Sequence, residues 1–298
     1  MTSQHIKTNN LPVVGLVMKS LAAEFFQRMR AGAIAHVQQR GDLHLLPVGT
    51  QTQTEVNQQV ELVAELVDQK IDAMVIMPID SQALVLPVVK AVQAGVRVIN
   101  ADVMLDKKIP GQHDLDLPFL GPDNAMAAKV VGDILGRYLG PKGNVIVIEG
   151  IPEASNARQR YEGFRLAIQE HNLNLLTSRT AHWETQEAYT VFSDLLETYP
   201  EVQGVMCAND AMALGVLQAI EAHGKTGQIV AVGIDNDESI HPRIEDKQLL
   251  ATVDLLGPDM IIRAIDYAME ALSGRVRRGW IKTPVRVITR ESLTQLSF

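Results

Sequence analysis

Several short apolar runs in this chain end in polar residues that could bind a small molecule. These residues, with two more on connecting loops, are Lys19, Asp102, Asn209, Asp235, Asp254, Arg158 and Trp183. Carboxylates and amides form paired hydrogen bonds with neighbouring hydroxyl groups, and aromatic rings cover the apolar faces of a sugar-like ring. Aromatic residues make up only 4% of the chain, yet Phe25 and Phe26 stand together at the start of an amphipathic pattern. One of the two is expected to pack in the core. The residue types indicate a site for a small polyol or sugar.

The clearest junction of this kind surrounds Asn209 and Asp210. An apolar run, residues 205–208, leads into this pair, and a helical pattern begins at once. The pattern predicts a buried strand followed by a capped helix. In an open α/β sheet such a junction lies at the edge where ligands bind. We expect Asn209 to present its amide to a ligand and Asp210 to cap the helix, although both residue types are also common in turns without any binding role.

The elements that must position these residues alternate regularly. Strands are expected at residues 13–18, 43–48, 73–77, 96–100, 144–149, 175–180, 204–208, 229–234, 250–253 and 285–289. Amphipathic helical patterns separate most of them, and one is expected from about Arg158 to Glu170. Continuous apolar strands between helices are typical of parallel sheets covered on both faces. The rhythm breaks between Val103 and Pro122, where polar, turn-rich residues are typical of a domain linker. The sequence predicts an α/β protein with two doubly wound units.

Composition excludes some classes of function. The net charge of −8 argues against a nucleic-acid surface, which needs clustered positive charge. No apolar run approaches the roughly 20 residues that span a bilayer. Residues 1–10 are polar and lack the apolar stretch of a secretory signal. They are expected to form a disordered leader, in a protein that is either cytosolic or has lost its native signal.

Signatures of catalysis are missing from the sequence. We find no glycine-rich phosphate loop, no His-Glu-x-x-His, no Gly-x-Ser-x-Gly and no paired-cysteine metal site, and Cys207 is the single cysteine. We therefore expect no enzymatic activity, no metal and no cofactor.

Seven motifs, taken in their order along the chain, carry a family resemblance. They are Phe25–Phe26, Met77–Ser81, Val98–Asp102, Gly121–Asn124, Asn156–Phe164, Asn209–Gly215 and Val232–Asp235. Over residues 13–289 the chain resembles the type I periplasmic sugar-binding proteins of ABC importers, above all the ribose-binding group. The resemblance implies a non-enzymatic receptor with two doubly wound parallel-sheet lobes joined by three crossovers. It also implies closure over the ligand by a hinge, for which periplasmic binding proteins are a standard example.

The resemblance divides the chain into lobes. It implies a first lobe of residues 11–120 and 256–284, and a second lobe of residues 121–255 and 285–298. The linkers are expected near Leu120–Asp123, Asp254–Leu256 and Pro284–Arg286. It further implies a periplasmic protein whose signal peptide has been removed and which acts as a monomer. Its expected partners are a sugar or alditol ligand and a membrane permease, with no nucleic acid and no direct membrane insertion.

The family's binding residues can be transferred position by position. Ring-stacking aromatics correspond to Phe25 or Phe26 in one lobe and to Trp183 in the other. The hydroxyl-binding carboxylates correspond to Asp102 and Asp235, and the family's arginine and asparagine to Arg158 and Asn209.

Other positions depart from the family pattern. Ala23 stands where the family has an asparagine, Val103 where it has an arginine, and residues 254–255 replace a glutamine. Because a buried site discriminates strongly among hydroxyl patterns, these losses favour a ligand other than ribose. Another pentose, a hexose or an open-chain sugar alcohol fits better, and Lys19 leaves room for a sugar acid.

Two other classes of protein share this fold. The effector domain of a lac-repressor-like regulator is one, but that family places a helix-turn-helix segment of roughly 60 residues before its sugar lobes. About ten residues precede Leu11 here, so this alternative requires a truncated chain. A doubly wound enzyme without its usual motif is the other, and no nucleophile–base pair supports it.

Overall fold

Two six-stranded sheets organise the chain in this computed structural model, which describes residues 11–106 and 116–296. The expected leader, residues 1–10, lies outside the described residues, as does most of the polar part of the segment between Val103 and Pro122.

The strands of the first sheet are all parallel. They are β1 (Val13–Met18), β2 (His44–Gly49), β3 (Ala73–Ile76), β4 (Arg97–Ala101), β5 (Phe119–Pro122) and β11 (Trp280–Thr283), in the spatial order β11-β5-β4-β3-β1-β2. Alternate residues of β1 face opposite ways. On one face, Leu16 belongs to the same hydrophobic core as Met29. On the other face, Val17 belongs to a second core that includes Leu66. Both faces of the sheet are therefore buried, which explains the unbroken apolar runs.

The second sheet is parallel except at one edge, where β12 runs antiparallel to β10. Its strands are β6 (Asn144–Glu149), β7 (Asn174–Thr180), β8 (Gly204–Cys207), β9 (Val230–Val232), β10 (Leu249–Asp254) and β12 (Arg286–Thr289), in the order β12-β10-β9-β8-β6-β7. Apart from these edge strands, both sheets have the same doubly wound arrangement. The fold class expected from the sequence is confirmed.

Helices cover both sheets. Those with the first sheet are α1 (Glu24–Arg40), α2 (Val56–Asp68), α3 (Val85–Gln93) and α9 (Gly257–Leu272). Those with the second sheet are α4 (Asn124–Leu139), α5 (Ser155–Glu170), α6 (Thr185–Thr198), α7 (Asp210–Ala222), α8 (His241–Glu245) and α10 (Arg290–Leu296). A single 3-10 turn, Glu238–Ile240, precedes α8.

The chain passes between the two sheets three times. The first crossing follows Pro122, the second lies between Asp254 and Gly257, and the third lies between Thr283 and Arg286. The polar segment after Val103 precedes β5, so the first crossing comes after that segment. Because strands of both sheets end at the same cleft, the loops that follow them face each other across it.

Candidate functional site

A cavity lies between the two lobes and contains about 360 Å³ of space free of protein atoms. Its lining residues are Lys19, Ala23, Phe25, Phe26, Gln53, Asp102, Asn156, Arg160, Trp183, Asn209, Ala211, Asp235 and Asp237. Seven of the nine residues proposed from the sequence are in this set.

Five of these residues lie just after the carboxyl ends of strands. Lys19 follows β1, Asp102 follows β4, Trp183 follows β7, Asn209 follows β8 and Asp235 follows β9. The backbones of Asp102, Trp183 and Asp235 have φ values of 61°, 71° and 121°, in the region that favours glycine. Such conformations cost free energy and cluster at functional sites. Of the ten non-glycine residues with positive φ in the described ranges, these three line the cavity.

The ring of Trp183 lies directly against the backbone of Gly150, which follows β6. A Cβ atom added at Gly150 would lie 2.0 Å from the indole. Only a glycine permits this approach, so Gly150 sets the position of the ring on the cavity wall.

The first lobe contributes a buried ion pair. The ammonium nitrogen of Lys19 lies 3.2 Å from Asp102 Oδ2, and both side chains are buried. The same nitrogen lies 5.3 Å from the centre of the Phe26 ring and 5.6 Å from that of Trp183 in the other lobe. These distances allow cation–π attraction on both sides. Phe25 meets Phe26 edge to face, and both residues pack in the core and also line the cavity.

The second lobe contributes a buried arginine. Arg160 Nε donates to Asn124 Oδ1 at 2.9 Å, and Nη1 donates to the carbonyl of Ala208 at 2.6 Å. Nη1 also lies 3.5 Å from Asp235 Oδ1, and the guanidinium lies 5.4 Å from the Trp183 ring centre. Arg160 therefore fixes both the carboxylate and the aromatic wall of this lobe.

Four polar atoms of the lining residues are buried without a hydrogen-bond partner in the part of the chain that the structure describes. They are Asp102 Oδ2, Asn156 Oδ1, Trp183 Nε1 and Asp235 Oδ1. Asp102 Oδ2 and Asp235 Oδ1 each face a cation, Lys19 at 3.2 Å and Arg160 at 3.5 Å, whereas Asn156 Oδ1 and Trp183 Nε1 have no polar partner in the described residues. Most buried polar atoms in native proteins are hydrogen-bonded, so four such atoms around one cavity need an explanation. Three acceptors and one donor around a single cavity match a ligand that carries several hydroxyl groups.

The carboxyl groups of Asp235, Asp237 and Asp210 lie close together. Burial raises the pKa of Asp237 to about 9, with added repulsion from Asp235 and Asp210. Burial also raises the pKa of Asp210 to about 7, although hydrogen bonds from Thr252 oppose the change. For Asp235 burial raises the pKa to about 6, and the charge of Arg160 opposes it. At neutral pH burial therefore favours the protonated form of Asp237, and it shifts Asp235 and Asp210 in the same direction.

Stability is expected to depend on pH through these groups. An unburied aspartate has a pKa of 3.8, so between about pH 4 and 9 the folded chain binds more protons than the unfolded chain. The free energy of unfolding then falls as pH rises.

We expect a higher melting temperature at pH 5 than at pH 8.5, measured by calorimetry. Asp237→Asn should reduce this difference, whereas Asp246→Asn, at an exposed position, should leave it unchanged. An equal slope in all three proteins would show that Asp237 does not titrate in this range.

Two residues proposed from the sequence lie outside the cavity. Arg158 is 48% exposed; its side chain donates to the carbonyls of Pro152 and Glu153 and lies 3.6 Å from Asp106. Asp254 lies at the second crossing, where its Oδ1 accepts a hydrogen bond from the backbone of Leu256. In the cavity, Arg160 occupies the place expected for Arg158.

The junction at Asn209 also differs in detail from the expectation. Asn209, not Asp210, caps α7, because its Oδ1 accepts from the backbone of Met212 at 2.9 Å. Asp210 is buried and accepts hydrogen bonds from Thr252 Oγ1. The amide of Asn209 donates to the carbonyl of Trp183 at 3.4 Å, and Asn209 still lines the cavity.

Sequence reasoning missed Asn156, Arg160, Asp237 and Gln53. A usable signal existed for the first two. Asn156 follows β6, and Arg160 lies four positions later on α5, on the same side of the helix.

The lobes are in contact on both sides of the cavity. On one side the backbone N–H of Ser155 donates to Ser81 Oγ, and Ser155 Oγ donates to the carbonyl of Met104, each at 2.9 Å. On the other side Arg28 donates to the carbonyl of Asp235 at 2.7 Å. The structure is therefore in a closed arrangement.

Two α/β lobes that close around a small cavity with unpaired hydroxyl-binding groups define a receptor that encloses its ligand. In the described ranges, no helix combines the length and apolarity needed to cross a bilayer.

Known proteins agree with this class. A family model described as "Periplasmic binding protein domain" matches residues 14–275. The D-ribose/D-allose-binding protein of Pseudomonas aeruginosa is 34% identical, covering 97% of this chain and 92% of that protein. A solute-binding protein of Burkholderia multivorans, solved with an unknown ligand represented as α-D-erythrofuranose, has a TM-score of 0.91 at 36% identity and covers 94% of this chain and 99% of that chain. One from Actinobacillus succinogenes with bound D-allose has a TM-score of 0.86 at 29% identity, covering 95% and 99%.

The chain belongs to the periplasmic binding protein family, within the type I sugar-binding proteins of the ribose-binding group. It is the solute-binding protein of a carbohydrate ABC importer, with a periplasmic location. The expectation of a non-enzymatic receptor is confirmed, because the relatives are transport proteins and not enzymes. The alternative of a transcription regulator is not favoured.

Proposed function

We propose that this protein captures a neutral monosaccharide or short sugar alcohol in the interlobe cavity and delivers it to a membrane permease. The observation that carries the proposal is the set of four buried polar atoms that lack a hydrogen bond, on a cavity wall that also has aromatic rings from both lobes. Hydroxyl groups would satisfy the polar atoms, and the rings would cover the C–H faces of the sugar.

The charges around the cavity favour a neutral ligand over a sugar acid. Lys19 is paired with Asp102, and Arg160 lies beside Asp235, so the two cations are balanced by two carboxylates. Asp237 is protonated at neutral pH because burial raises its pKa to about 9. An anionic ligand would add an unbalanced charge to a buried site, which is costly.

Apolar side chains narrow the range of ligands further. Ala23, Phe25 and Phe26 form part of the first-lobe wall, so much of that wall offers no hydrogen bond. Three of the four buried polar atoms without a hydrogen bond, Asn156 Oδ1, Trp183 Nε1 and Asp235 Oδ1, come from the second lobe. The second lobe therefore makes most of the hydroxyl contacts, and a ligand with few hydroxyl groups fits better than ribopyranose.

A ligand screen tests the proposal. Purified protein, unfolded and refolded to remove any co-purified ligand, is mixed with tetroses, pentoses, hexoses, alditols and sugar acids, and its melting temperature is measured. We expect the largest rise with a neutral sugar or alditol, because a ligand at 100 times its Kd adds about 2.7 kcal/mol of stability. A screen in which only sugar acids raise the melting temperature would contradict the charge argument. A screen without any response would contradict the proposed function.

Trp183 is expected to make a moderate contribution to binding. Trp183→Ala removes about 0.5–1.5 kcal/mol of ring contact beyond area burial and about 1 kcal/mol for the Nε1 hydrogen bond. Since 1.4 kcal/mol corresponds to a factor of ten, Kd should rise about 30-fold in calorimetry with the best ligand of the screen. Trp280→Phe is the matched control, because Trp280 Nε1 donates to the carbonyl of Gly121, outside the cavity. An equal loss in both variants would exclude a specific role for Trp183.

We also propose that one chain is sufficient for binding. Both walls of the cavity come from the two lobes of the same chain, with the lobe divisions near residues 122, 255 and 284. Sedimentation of the sugar-loaded protein as a monomer would agree with this proposal, and loss of binding upon dilution below a dimerisation constant would contradict it.

A further inference from the structure

Arg28 on α1 connects the two lobes just outside the cavity. Its Nη2 donates to the backbone carbonyl of Asp235 at 2.7 Å and to Asp237 Oδ1 at 3.1 Å. Arg28 does not line the cavity, and about a quarter of its side chain is exposed, whereas Asp237 is buried. These contacts join residues more than 200 positions apart, which belong to different lobes.

Glu24 makes a second connection one turn earlier on α1. Its carboxylate accepts hydrogen bonds from the backbone N–H groups of Glu238 and Ser239, at the start of the 3-10 turn. We call Arg28, Glu24 and residues 235–239 the α1 clasp. Both α1 side chains therefore hold the same short loop of the second lobe.

That loop contains a carboxylate of the proposed binding site. The backbone of Asp235 has a φ of 121°, and its N–H donates to the carbonyl of Val253 at 2.8 Å within the second lobe. Its carbonyl is held by Arg28 of the first lobe. The peptide that orients the Asp235 side chain is thus fixed from both lobes when they are closed.

We propose that Arg28 is a positioning residue that locks the closed lobes and holds Asp235 in its binding orientation, so that it slows the release of the sugar. The inference rests on the proposed function. The clasp contacts exist only while the lobes are together, so they stabilise the closed state and leave the open state unaffected. A sugar enclosed between the lobes leaves only after they open, so loss of the clasp increases the dissociation rate.

The two hydrogen bonds of Arg28 are expected to persist over a wide range of pH. The groups that face its guanidinium are Asp235, through its carbonyl, and the carboxyl group of Asp237. Neither contact requires an ionised partner, because a carbonyl oxygen and a protonated carboxyl group both accept a hydrogen bond from a cation. Arg28 therefore serves as a clasp even when Asp237 is protonated.

Stopped-flow tryptophan fluorescence tests the clasp. The background is Trp280→Phe, so that Trp183 at the cavity reports binding, and the probe is whichever of D-allose, D-ribose, D-erythrose or erythritol most stabilises the unmodified protein. We expect Arg28→Met to raise the dissociation rate about tenfold while the association rate changes less than twofold. Arg28→Lys, which keeps the charge but loses the planar guanidinium, should have a dissociation rate between those of the parent and of Arg28→Met.

A matched control separates the clasp from a general loss of surface charge. Arg165→Met removes an exposed arginine that pairs with Glu162 in the same helix, and it should leave both rates unchanged. The melting temperature of ligand-free Arg28→Met should stay within about 2 °C of the parent, because the clasp contacts form only when the lobes are closed. Unchanged dissociation in Arg28→Met, or an equal change in Arg165→Met, would overturn the clasp and leave the proposed function standing. If none of the neutral sugars and alditols of the ligand screen binds the unmodified protein, the proposed function is wrong, and the clasp with it.

Discussion

Asp235→Ala is expected to weaken binding of the best sugar by about 100-fold, the largest effect on affinity of any single change considered for this cavity. Asp235 is buried, its Oδ1 has no hydrogen-bond partner in the described residues, and it lies 3.5 Å from Arg160 Nη1. Hydrogen bonds to a charged group contribute about 1.5–3 kcal/mol each, and two such bonds correspond to at least a hundredfold change in Kd. Titration calorimetry measures the change directly.

Two further variants show whether the loss of sugar affinity in Asp235→Ala comes from the charge of Asp235. Asp235→Asn keeps the size of the side chain and tolerates the positive φ of this position, so it isolates the charge and should weaken binding less than alanine does. Asp246→Ala removes an exposed carboxylate from the same lobe and should bind as the parent does. If Asp235→Ala keeps the affinity of the parent, Asp235 does not contact the sugar.

The periodicity of the sequence was sufficient to predict most of the fold. Apolar runs such as Val13–Met18 are long enough to identify, and the helices between them indicate parallel connections. The strands β5 and β11 were not predicted, because β5 follows the polar segment after Val103 and ends in Gly121 and Pro122, and β11 begins with the exposed Trp280. These two strands precede two of the three crossings, so the lobe divisions could be inferred only from the family resemblance.

Strand ends also identified most of the site. The rule that ligands bind at the carboxyl ends of parallel strands led to Lys19, Asp102 and Asp235, among others. It did not locate the arginine, because the helix that carries it begins at Ser155, three residues before the predicted start. Successive helical residues are rotated by about 100°, so Arg158 and Arg160 point to nearly opposite sides.

Sequence patterns could not predict the contacts between the lobes. Arg28 comes directly before Met29, which is a buried residue of α1, and the sequence pattern alone indicates an ordinary surface residue at this position. Its partner Asp237 appears as part of a polar turn, Asp235–Asp237. Only the closed arrangement of the lobes, which joins residues 209 positions apart, gives the pair a function.

Arg160→Met is expected to have the largest effect on stability, because the change leaves several buried partners unpaired. It removes the hydrogen bonds to Asn124 Oδ1 and to the carbonyl of Ala208, and it leaves the buried carboxylate of Asp235 without its nearest cation. Breaking a buried ion pair from one side costs about 3–5 kcal/mol. At roughly 2–4 °C per kcal/mol for domains of about 150–250 residues, the melting temperature should fall by about 10 °C.

Arg158→Met supplies the decisive comparison, since Arg158 was the arginine first proposed for the site. Its ion pair with Asp106 is long and half-exposed, and such pairs contribute about 0–1 kcal/mol. We expect its melting temperature to change by less than about 3 °C and its sugar affinity to stay within a few-fold of the parent. Arg160→Met, assayed well below its melting temperature, should bind the sugar at least tenfold more weakly, because Trp183 and Asp235 both lose their support. The reverse order of the two variants in calorimetry would return the binding role to Arg158 and would contradict the geometry of the cavity.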